Sequence, residues 1–330
     1  MERREFLKSA AGAALITGLG SSANAFASGG EIPRRVLGRT GVPVSIVGVG
    51  GYHIGASSVP EEVGIRIIRT ALDSGINFLD NCWDYNGGES ERRMGKALRD
   101  GYRQKAFLMT KIDGRTAVAA QKQLDESLSR LQTDHIDLIQ IHEVIRMEDP
   151  ERVFAAGGAL ETLEKARKAG KVRFIGFTGH KSPAMHLHMI DTASQHHYTF
   201  DTVQMPVNVM DAQFNSFANQ VIPVASKLGM GILGMKGLGG GIFLQSKTVK
   251  PVECLHYSIS QKVHCQITGC DSMQILNQAL DLARNFRPMD EAAMKALRAR
   301  ASSEAVTGEL EKYKNTQNFD GTGRNPQWLG

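Results

Sequence analysis

Residues 107–142 read FLMTKIDGRTAVAAQKQLDESLSRLQTDHIDLIQIH, and this stretch decides the fold. Two short apolar runs, Phe107–Ile112 and Ile136–His142, flank one longer amphipathic segment. The runs lack the strict alternation of apolar and polar residues that a half-exposed strand shows, so both are predicted to be strands covered on both faces. A strand, a helix and a strand in this order predict a parallel βα unit.

The same unit repeats along the chain. Helix boundaries are indicated between the strands, for example from Pro60 to before Gly75 and from Gly158 to Ala169. Eight βα units in roughly 300 residues predict an α/β fold, a closed (β/α)₈ TIM barrel. An open nucleotide-binding sheet is disfavoured because the first strand is not followed by the glycine fingerprint GxGxxG. The eight predicted strands are Ser45–Gly50, Asn77–Asn81, Phe107–Ile112, Ile136–His142, Val172–Thr178, Thr202–Val207, Gly231–Lys236 and Cys265–Thr268.

Two further segments flank the predicted barrel. Residues 36–40 together with 42–44 could form a hairpin that closes the barrel floor. Residues 288–330 should contain one more helix, at about Asp290 to Ser302, and then a tail that could wrap beside the site. Residues 28–330 are therefore expected to form a single barrel domain.

The first 27 residues differ from the rest of the chain. Arg3 and Arg4 precede a weakly apolar run at residues 10–20, and small residues end at Ala27. This layout is typical of a cleavable export signal and resembles the twin-arginine type. The apolar run is shorter than the roughly 20 residues that span a bilayer. We expect export through that machinery and a periplasmic protein; the alternative is a disordered tail on a cytoplasmic protein.

Composition excludes several classes of protein. The 330 residues are 42% apolar and 22% charged, which is ordinary for a globular chain. The net charge of +5 is spread over the whole length, so no nucleic-acid partner is implied.

The cysteines and histidines do not predict a metal site. The four cysteines show neither paired CxxC spacing nor a metal-ligand spacing with histidine, and small buried thiols are favoured over a disulfide. The histidines of the second half are interpreted as surface or helix-cap residues. The residues concerned are Cys82, Cys254, Cys265 and Cys270, and His180, His186, His188, His196 and His197.

Four polar side chains follow consecutive predicted strands. Strand two ends at Asp80 and its loop supplies Tyr85, strand three ends at Lys111 and strand four at His142. In a (β/α)₈ barrel these positions share the rim where reacting groups lie. Reduction of a carbonyl by hydride needs a proton donor at the oxygen, and a phenol with a pKa of about 10 needs a nearby cation for that task.

These residues and their neighbours resemble the tetrad of the aldo/keto reductases. The sequence NFLD at residues 77–80, GGESE at residues 87–91 and LGRTG at residues 37–41 carry the resemblance, which runs from about Arg35 to Asn277. It implies an NAD(P)H-dependent oxidoreductase acting on an aldehyde, ketone or sugar carbonyl. Tyr85 would be the general acid and base, Asp80 and Lys111 would tune its pKa, and His142 would orient the substrate.

The resemblance also implies a cofactor site. NADP(H) is expected from the family, with NAD(H) as the alternative, because Asp271 stands where many relatives place basic residues. Met235 replaces the aromatic ring that many relatives stack on the nicotinamide, and Gly179 replaces a common asparagine. The predicted cofactor-binding residues are Thr178, Gly179, Gln204, Met235, Lys236, Gly237, Leu238, Gly239, Gly269 and Ser272.

The substrate side is less defined. Tyr52 and Trp83 lie on predicted rim loops and are expected to line the pocket with His142. The second hypothesis is a nucleotide-binding sensor or regulatory barrel with little turnover; the third, a metal-dependent barrel hydrolase, lacks the ligand clusters that such enzymes need. The carbonyl substrate, the reaction direction and the oligomeric state are left open.

Overall fold

The computed structural model describes residues 30–330, so the predicted export signal at residues 1–27 lies outside the described residues. Among the residues described, we find no helix that is both long enough and apolar enough to cross a membrane.

Eight parallel strands form a closed barrel, which confirms the predicted (β/α)₈ TIM fold. The first seven strands of the barrel are neighbours in chain order, and the eighth closes the barrel by pairing with both the seventh and the first. Each observed strand overlaps its predicted range with small differences at the ends. The barrel strands are β3 Val47–Gly50, β4 Phe78–Asp80, β5 Phe107–Ile112, β6 Ile136–Ile141, β7 Val172–Thr178, β8 Thr202–Pro206, β9 Gly231–Met235 and β10 Cys265–Gly269.

Helices surround the barrel and pack their apolar faces against it. Several begin at a side chain that accepts a hydrogen bond from the first turn, as Thr116, Ser182 and Ser216 do. The helices are α1 Gly51–Ile54, α2 Glu61–Asp73, α3 Glu89–Ala97, α4 Ala117–Leu131, α5 Asp149–Phe154, α6 Ala159–Lys168, α7 Pro183–Gln195, α8 Phe217–Lys227, α9 Pro251–Ser260, α10 Met273–Arg284, α11 Glu291–Ala305, α12 Lys312–Asn315 and α13 Gly321–Arg324.

The predicted hairpin is present at the start of the described chain, where β1 Arg34–Val36 pairs antiparallel with β2 Pro43–Ser45. Leu37 and Val44 from this region are fully buried in one apolar cluster with Phe78 and Phe107 of the barrel interior. The hairpin therefore closes the floor of the barrel and leaves the opposite end, where the strands terminate, for chemistry.

The C-terminal tail returns to that opposite end. The predicted last long helix is α11, and the chain then continues through the short helices α12 and α13. The carbonyl of Trp328 accepts a hydrogen bond from Gln123 at 2.9 Å, and the carbonyl of Leu329 accepts one from the amide of Arg115 at 2.8 Å. The tail is thus fastened to the segments that follow β5.

The interpretation of the histidines was wrong for two of them. His180 and His186 are buried, although they were expected at the surface or at helix caps. His180 Nε2 lies 3.0 Å from the Asp320 carboxylate of the tail, and His186 Nε2 lies 3.1 Å from the carbonyl of Gln204. Their burial could not be recognised from local spacing, because both partners are distant in sequence.

Candidate active site

The side chains of Asp80, Lys111 and Tyr85 meet at the mouth of the barrel. Asp80 is the last residue of β4 and Lys111 is the second-last residue of β5, so adjacent parallel strands carry them. The ammonium of Lys111 donates to Asp80 Oδ1 at 2.5 Å and to the carbonyl of Asn81 at 2.8 Å, and it lies 3.5 Å from the hydroxyl of Tyr85. The sequence-predicted cation is therefore buried next to both its carboxylate and the phenol.

A tight turn places Tyr85 over this pair. Asn86, Gly87 and Gly88 have φ values of 53°, 62° and 84°, in the left-handed region that glycine adopts without strain. A Cβ on Gly88 would lie 2.6 Å from the guanidinium carbon of Arg130, so a side chain is excluded there for a second reason. The two glycines of the GGESE signature thus hold the phenol at the rim.

The pKa of Tyr85 is raised well above its ordinary value, first by burial and then by the negative charge of Asp80. The expectation was that Lys111 would make the phenol more acidic. In the structure that ammonium is closer to Asp80 than to Tyr85, and burial dominates. Tyr85 is consequently a neutral phenol at physiological pH, the state required of a proton donor.

The remaining tetrad member, His142, directly follows β6 and is buried. Its ring meets the Tyr85 ring edge-on, with centroids 5.9 Å apart. Its Nδ1 lies 2.9 Å from Asp113 Oδ1, 3.2 Å from Cys82 Sγ and 3.8 Å from Asp84 Oδ1. All four predicted catalytic residues therefore share one rim.

Charges around His142 shift two pKa values. Burial acts to lower the pKa of His142, but Asp113 and Asp84 outweigh it and the net shift is upward. Burial raises the pKa of Asp84 to about 6, although His142 opposes that shift. The upward shift of the His142 pKa is the one expected for an imidazolium surrounded by carboxylates.

The ligand-type atoms of Cys82, Asp84 and His142 lie within 4.8 Å of one another. A transition metal would need the thiolate, and burial raises the pKa of the Cys82 thiol well above its ordinary value. Nδ1 of His142 is also already bonded to Asp113. We therefore treat the group as a hydrogen-bonding cluster.

One buried guanidinium fixes the two strand ends that form this cluster. Arg115 donates to the carbonyl of Asp113 at 2.7 Å, to the carbonyl of His142 at 2.7 Å and to that of Glu143 at 2.9 Å. Its Nε donates to Asp149 at 2.9 Å. The side chain is fully buried, so these bonds act in a region of low dielectric constant.

Two orphaned polar atoms mark the predicted nicotinamide site. Thr178 Oγ1 and Gln204 Oε1 are buried and have no hydrogen-bond partner within the described chain. They lie at the ends of the adjacent strands β7 and β8, and Gln204 Nε2 donates to Asp80 Oδ2 at 2.6 Å. A carboxamide offers the donors and the acceptor that these two atoms lack, so the residues fit that group.

Gly179 contributes no side chain to this site, for a steric reason. A Cβ there would lie 2.4 Å from the carbonyl oxygen of Val144 and 2.9 Å from the ring of His186. The buried imidazole of His186 occupies the space behind the strand end. Val144 and His186 therefore leave no room in this chain for the asparagine that is common at this position.

The loop after β9 has the backbone needed to approach a phosphate. Gly239, Gly240 and Gly241 have φ values of 61°, 71° and 94° in succession, and Lys236 itself has a φ of 53°. A Cβ on Gly237 would lie 3.1 Å from Gln266 Nε2, so the loop lies directly on β10. This glycine-rich turn fits the predicted role for residues 236–239.

Lys236 projects toward the tail. Its Nζ lies 4.8 Å from the ring centroid of Phe319 and 5.3 Å from that of Tyr313, and within the described residues it has no ion-pair partner. Burial lowers its pKa to about 8. An anion next to this ammonium would relieve that cost. Met235, partly buried at the end of β9, is adjacent to it.

The predicted residues Gly269 and Ser272 lie at the end of β10 and at the start of the next helix. The ring of His53 lies against Gly269, where a Cβ would approach it to 2.3 Å. Ser272 begins α10, and its hydroxyl accepts a hydrogen bond from the amide of Ile275 at 3.4 Å. Asp271 is exposed. His53 is close enough to both Asp271 and Lys236 for their charges to act on its pKa, which burial lowers.

The two aromatic residues predicted to line the substrate pocket, Tyr52 and Trp83, have different surroundings. Tyr52 is 54% exposed and its ring meets Tyr85 edge-on at 5.3 Å, so it borders the reacting phenol. Trp83 instead donates to Glu126 at 2.7 Å and packs edge-on against Trp328 of the tail at 5.5 Å. The tail is thus part of the rim beside Trp83.

Sequence reasoning missed Asp84, Asp113, Arg115 and Glu143. Asp113 lies two residues after Lys111, and Glu143 directly follows His142. Proximity to a strand end was the signal that could have identified them. Their partners come from other loops and from the tail, which spacing along one chain does not indicate.

The chain was matched to a family and to individual proteins. A family model described as "Aldo/keto reductase family" matches residues 46–297. The L-galactose dehydrogenase of Arabidopsis thaliana is 35% identical over 45% of this chain, and the match spans 49% of that protein, about half its length. The 6-dehydroglucose reductase of Novosphingobium aromaticivorans is 26% identical over 66% of this chain and 72% of its own.

Solved structures agree with the fold. The aldo-keto reductase AKR11C1 from Bacillus halodurans, in its holo form, superimposes with a TM-score of 0.70 at 21% identity, covering 85% of this chain and 100% of that one. At this identity the likeness shows the fold alone. The match over residues 46–297 covers most of the chain and includes every predicted tetrad residue. The chain therefore belongs to the aldo/keto reductase family, whose members are oxidoreductases that use nicotinamide cofactors.

Proposed function

We propose that this protein reduces an aldehyde, ketone or sugar carbonyl with a nicotinamide cofactor and that Tyr85 is the general acid. The observation that carries the proposal is the contact of Lys111 with both Asp80 and Tyr85 at one end of the barrel. Three groups that chemistry requires together would rarely meet at the strand ends for structural reasons alone.

The cofactor supplies the hydride when it is bound. Thr178 Oγ1 and Gln204 Oε1 would hold its carboxamide, and the glycine-rich loop at residues 236–241 would hold its phosphates. Gly269 and Ser272 remain candidates for its far end. NADP(H) is proposed first, since Lys236 carries a positive charge without an ion-pair partner in the described chain; NAD(H) is the alternative that Asp271 supports.

Tyr85 donates its proton to the carbonyl oxygen as negative charge develops there. Lys111, 3.5 Å from the phenol oxygen, stabilises the phenolate that remains, and Asp80 keeps the ammonium in place. His142 binds the same oxygen and orients the carbonyl. In the oxidative direction the phenolate accepts the proton of the alcohol.

Sugar carbonyls are included among the proposed substrates. Two matched relatives are named L-galactose dehydrogenase and 6-dehydroglucose reductase, which favours this class over simple ketones. Tyr52 and the tail residue Trp328 provide aromatic surface near the mouth for packing on such a substrate.

The compartment is also a proposal. Residues 28–330 would form the mature barrel domain, delivered to the periplasm by the twin-arginine-type signal at residues 1–27. That route transports folded proteins, so cofactor could be loaded before export. Cell fractionation with N-terminal sequencing tests this: a periplasmic chain beginning near residue 28 is expected, and an uncleaved cytoplasmic chain would refute it.

The catalytic role is tested with Tyr85→Phe. The variant should lose nearly all NAD(P)H oxidation across a panel of aldehydes, ketones and sugars, while its Kd for the preferred cofactor stays unchanged. Tyr102→Phe removes a hydroxyl that bonds Asp73 before β5 and serves as the control. Normal turnover by Tyr85→Phe would refute the proposed mechanism. Tight cofactor binding by the wild type without turnover of any carbonyl would favour the sensor hypothesis.

A further inference from the structure

The hydrogen-bonding environment of His142 is one-sided. Asp113 Oδ1, Cys82 Sγ and Asp84 Oδ1 all lie near Nδ1, at 2.9, 3.2 and 3.8 Å. These are the polar contacts that the described residues make with this ring, so Nε2 is left for a substrate. Two loops, those after β4 and β5, supply the groups at Nδ1.

Donor and acceptor chemistry restricts the protonation state of this ring. A carboxylate only accepts hydrogen bonds, so Nδ1 must carry a proton to bond Asp113. In a neutral imidazole Nε2 then has a lone pair and cannot donate to a carbonyl oxygen, which is itself an acceptor. Only the imidazolium donates at both nitrogens.

The surrounding charges favour that imidazolium. Asp84, Asp113 and Glu143 are the carboxylates that face it, and Cys82 and Tyr85 are the other titratable neighbours. Glu143 is held by the tail, where its carboxylate accepts bonds from Gly321 and Thr322. Burial acts to lower the pKa of His142, yet the carboxylates produce a net rise.

The Asp113 contact is built into the fold. Asp113 is fully buried, and its second oxygen has no partner in the described part of the chain. Its backbone amide donates to Gln123 at 2.8 Å, and Arg115 holds its carbonyl together with that of His142. The carboxylate and the ring are consequently fixed relative to each other by the backbone.

We propose that Asp113, assisted by Asp84, is a positioning residue that keeps His142 doubly protonated, so that Nε2–H binds the substrate carbonyl in reduction. With Nε2 deprotonated, the same ring accepts a hydrogen bond from an alcohol, which suits oxidation. The inference rests on the carbonyl reduction proposed above and adds that its pH range is set by these carboxylates.

The kinetic test is Asp113→Asn, which keeps the shape and removes the charge. The kcat for reduction should decline as pH rises through the pKa of His142, and this decline should move to lower pH by about one unit or more in the variant. At a pH above both pKa values, a shift of one unit should make reduction by the variant about tenfold slower than reduction by the wild type, with the Kd for cofactor unchanged. Asp84→Asn should give a smaller shift in the same direction.

Asp100→Asn is the matched control. Its side chain is 74% exposed at a turn before β5, at the opposite end of the barrel, and its φ of 58° is one that asparagine tolerates. The pH profile of this control should equal that of the wild type. An Asp113→Asn profile that overlies the wild-type profile would overturn the inference.

A spectroscopic measurement needs neither substrate nor turnover. The ¹⁵N resonances of His142, assigned among the ten histidines by comparison with His142→Gln, report the protonation of each ring nitrogen. The wild type should show an imidazolium near neutral pH, and Asp113→Asn should show a neutral ring. A neutral wild-type ring would overturn the inference even if Asp113→Asn failed to fold. Because activity is not measured, this result stands apart from the Tyr85→Phe test of the proposed function.

Discussion

Replacing Glu143 by glutamine should loosen the C-terminal tail at Gly321 and Thr322 while the barrel stays folded. Glu143 Oε1 accepts the amide of Gly321 at 2.8 Å, and Oε2 accepts the amide and the hydroxyl of Thr322, both at 2.7 Å. Glutamine has one acceptor oxygen, so it can keep the Thr322 bonds only by turning its own amide protons toward Gly321.

The variant loses one charge-assisted hydrogen bond outright and the charge in two others. Hydrogen bonds to charged groups contribute about 1.5–3 kcal/mol each, so a loss of about 2–3 kcal/mol in tail docking is expected. That energy corresponds to an increase of about 30- to 150-fold in the opening equilibrium of the tail. The contacts of Asp320 with His180 and Lys181 are retained and limit the effect.

Amide hydrogen exchange measures this opening directly. The amides of Gly321 and Thr322 should exchange faster by the stated factor, while those of the barrel strands should change little. Glu148→Gln, at an exposed position on the same loop, is the control and should leave tail exchange unchanged. Unchanged exchange in Glu143→Gln would refute the proposed contribution of the Glu143 carboxylate to holding Gly321 and Thr322.

Two further predictions concern the region behind the nicotinamide site. Gly179→Asn introduces the residue that is common in the family, but its Cβ would collide with the carbonyl oxygen of Val144. The variant should therefore have a free energy of unfolding lower by about 1–3 kcal/mol and should bind cofactor more weakly. Equal stability of variant and wild type in chemical denaturation would contradict this. Burial lowers the pKa of His186 from 6.5 to about 4. As the pH falls from about 6.5 to about 4, the imidazole of the unfolded chain becomes protonated while that of the folded protein stays neutral, so the free energy of unfolding decreases over this range. The free energy of unfolding should decrease by about 3 kcal/mol over this range. His186→Gln should remove this contribution, which is measured by comparing the free energy of unfolding in urea at about pH 7 and about pH 4.5. An identical slope in the variant would disprove the assignment.

The barrel could be predicted from the sequence because each βα unit has its own local pattern of apolar and capping residues. Strands such as Phe107–Ile112 are continuous apolar runs, and the helices between them are bounded by capping residues and glycine. The predicted tetrad also followed from position, since Asp80, Lys111 and His142 each lie at a strand end. Repetition of a local pattern needs no knowledge of long-range contacts.

The features that escaped prediction depend on contacts between distant segments. His180 became a buried residue because Asp320 reaches it from the tail, 140 positions away. Burial is the first cause of the raised pKa of Tyr85, and local sequence does not report burial. The cluster around His142 likewise combines three separate loops.

The central claim is that hydride passes directly to a substrate carbonyl at this site. The most direct measurement supplies a nicotinamide cofactor carrying deuterium at both C4 positions, together with the best carbonyl from the panel, and analyses the product by mass spectrometry. The wild type should yield an alcohol with one deuterium on the former carbonyl carbon, and Tyr85→Phe should yield almost none. An alcohol formed without deuterium, or no alcohol from any carbonyl, would contradict the account.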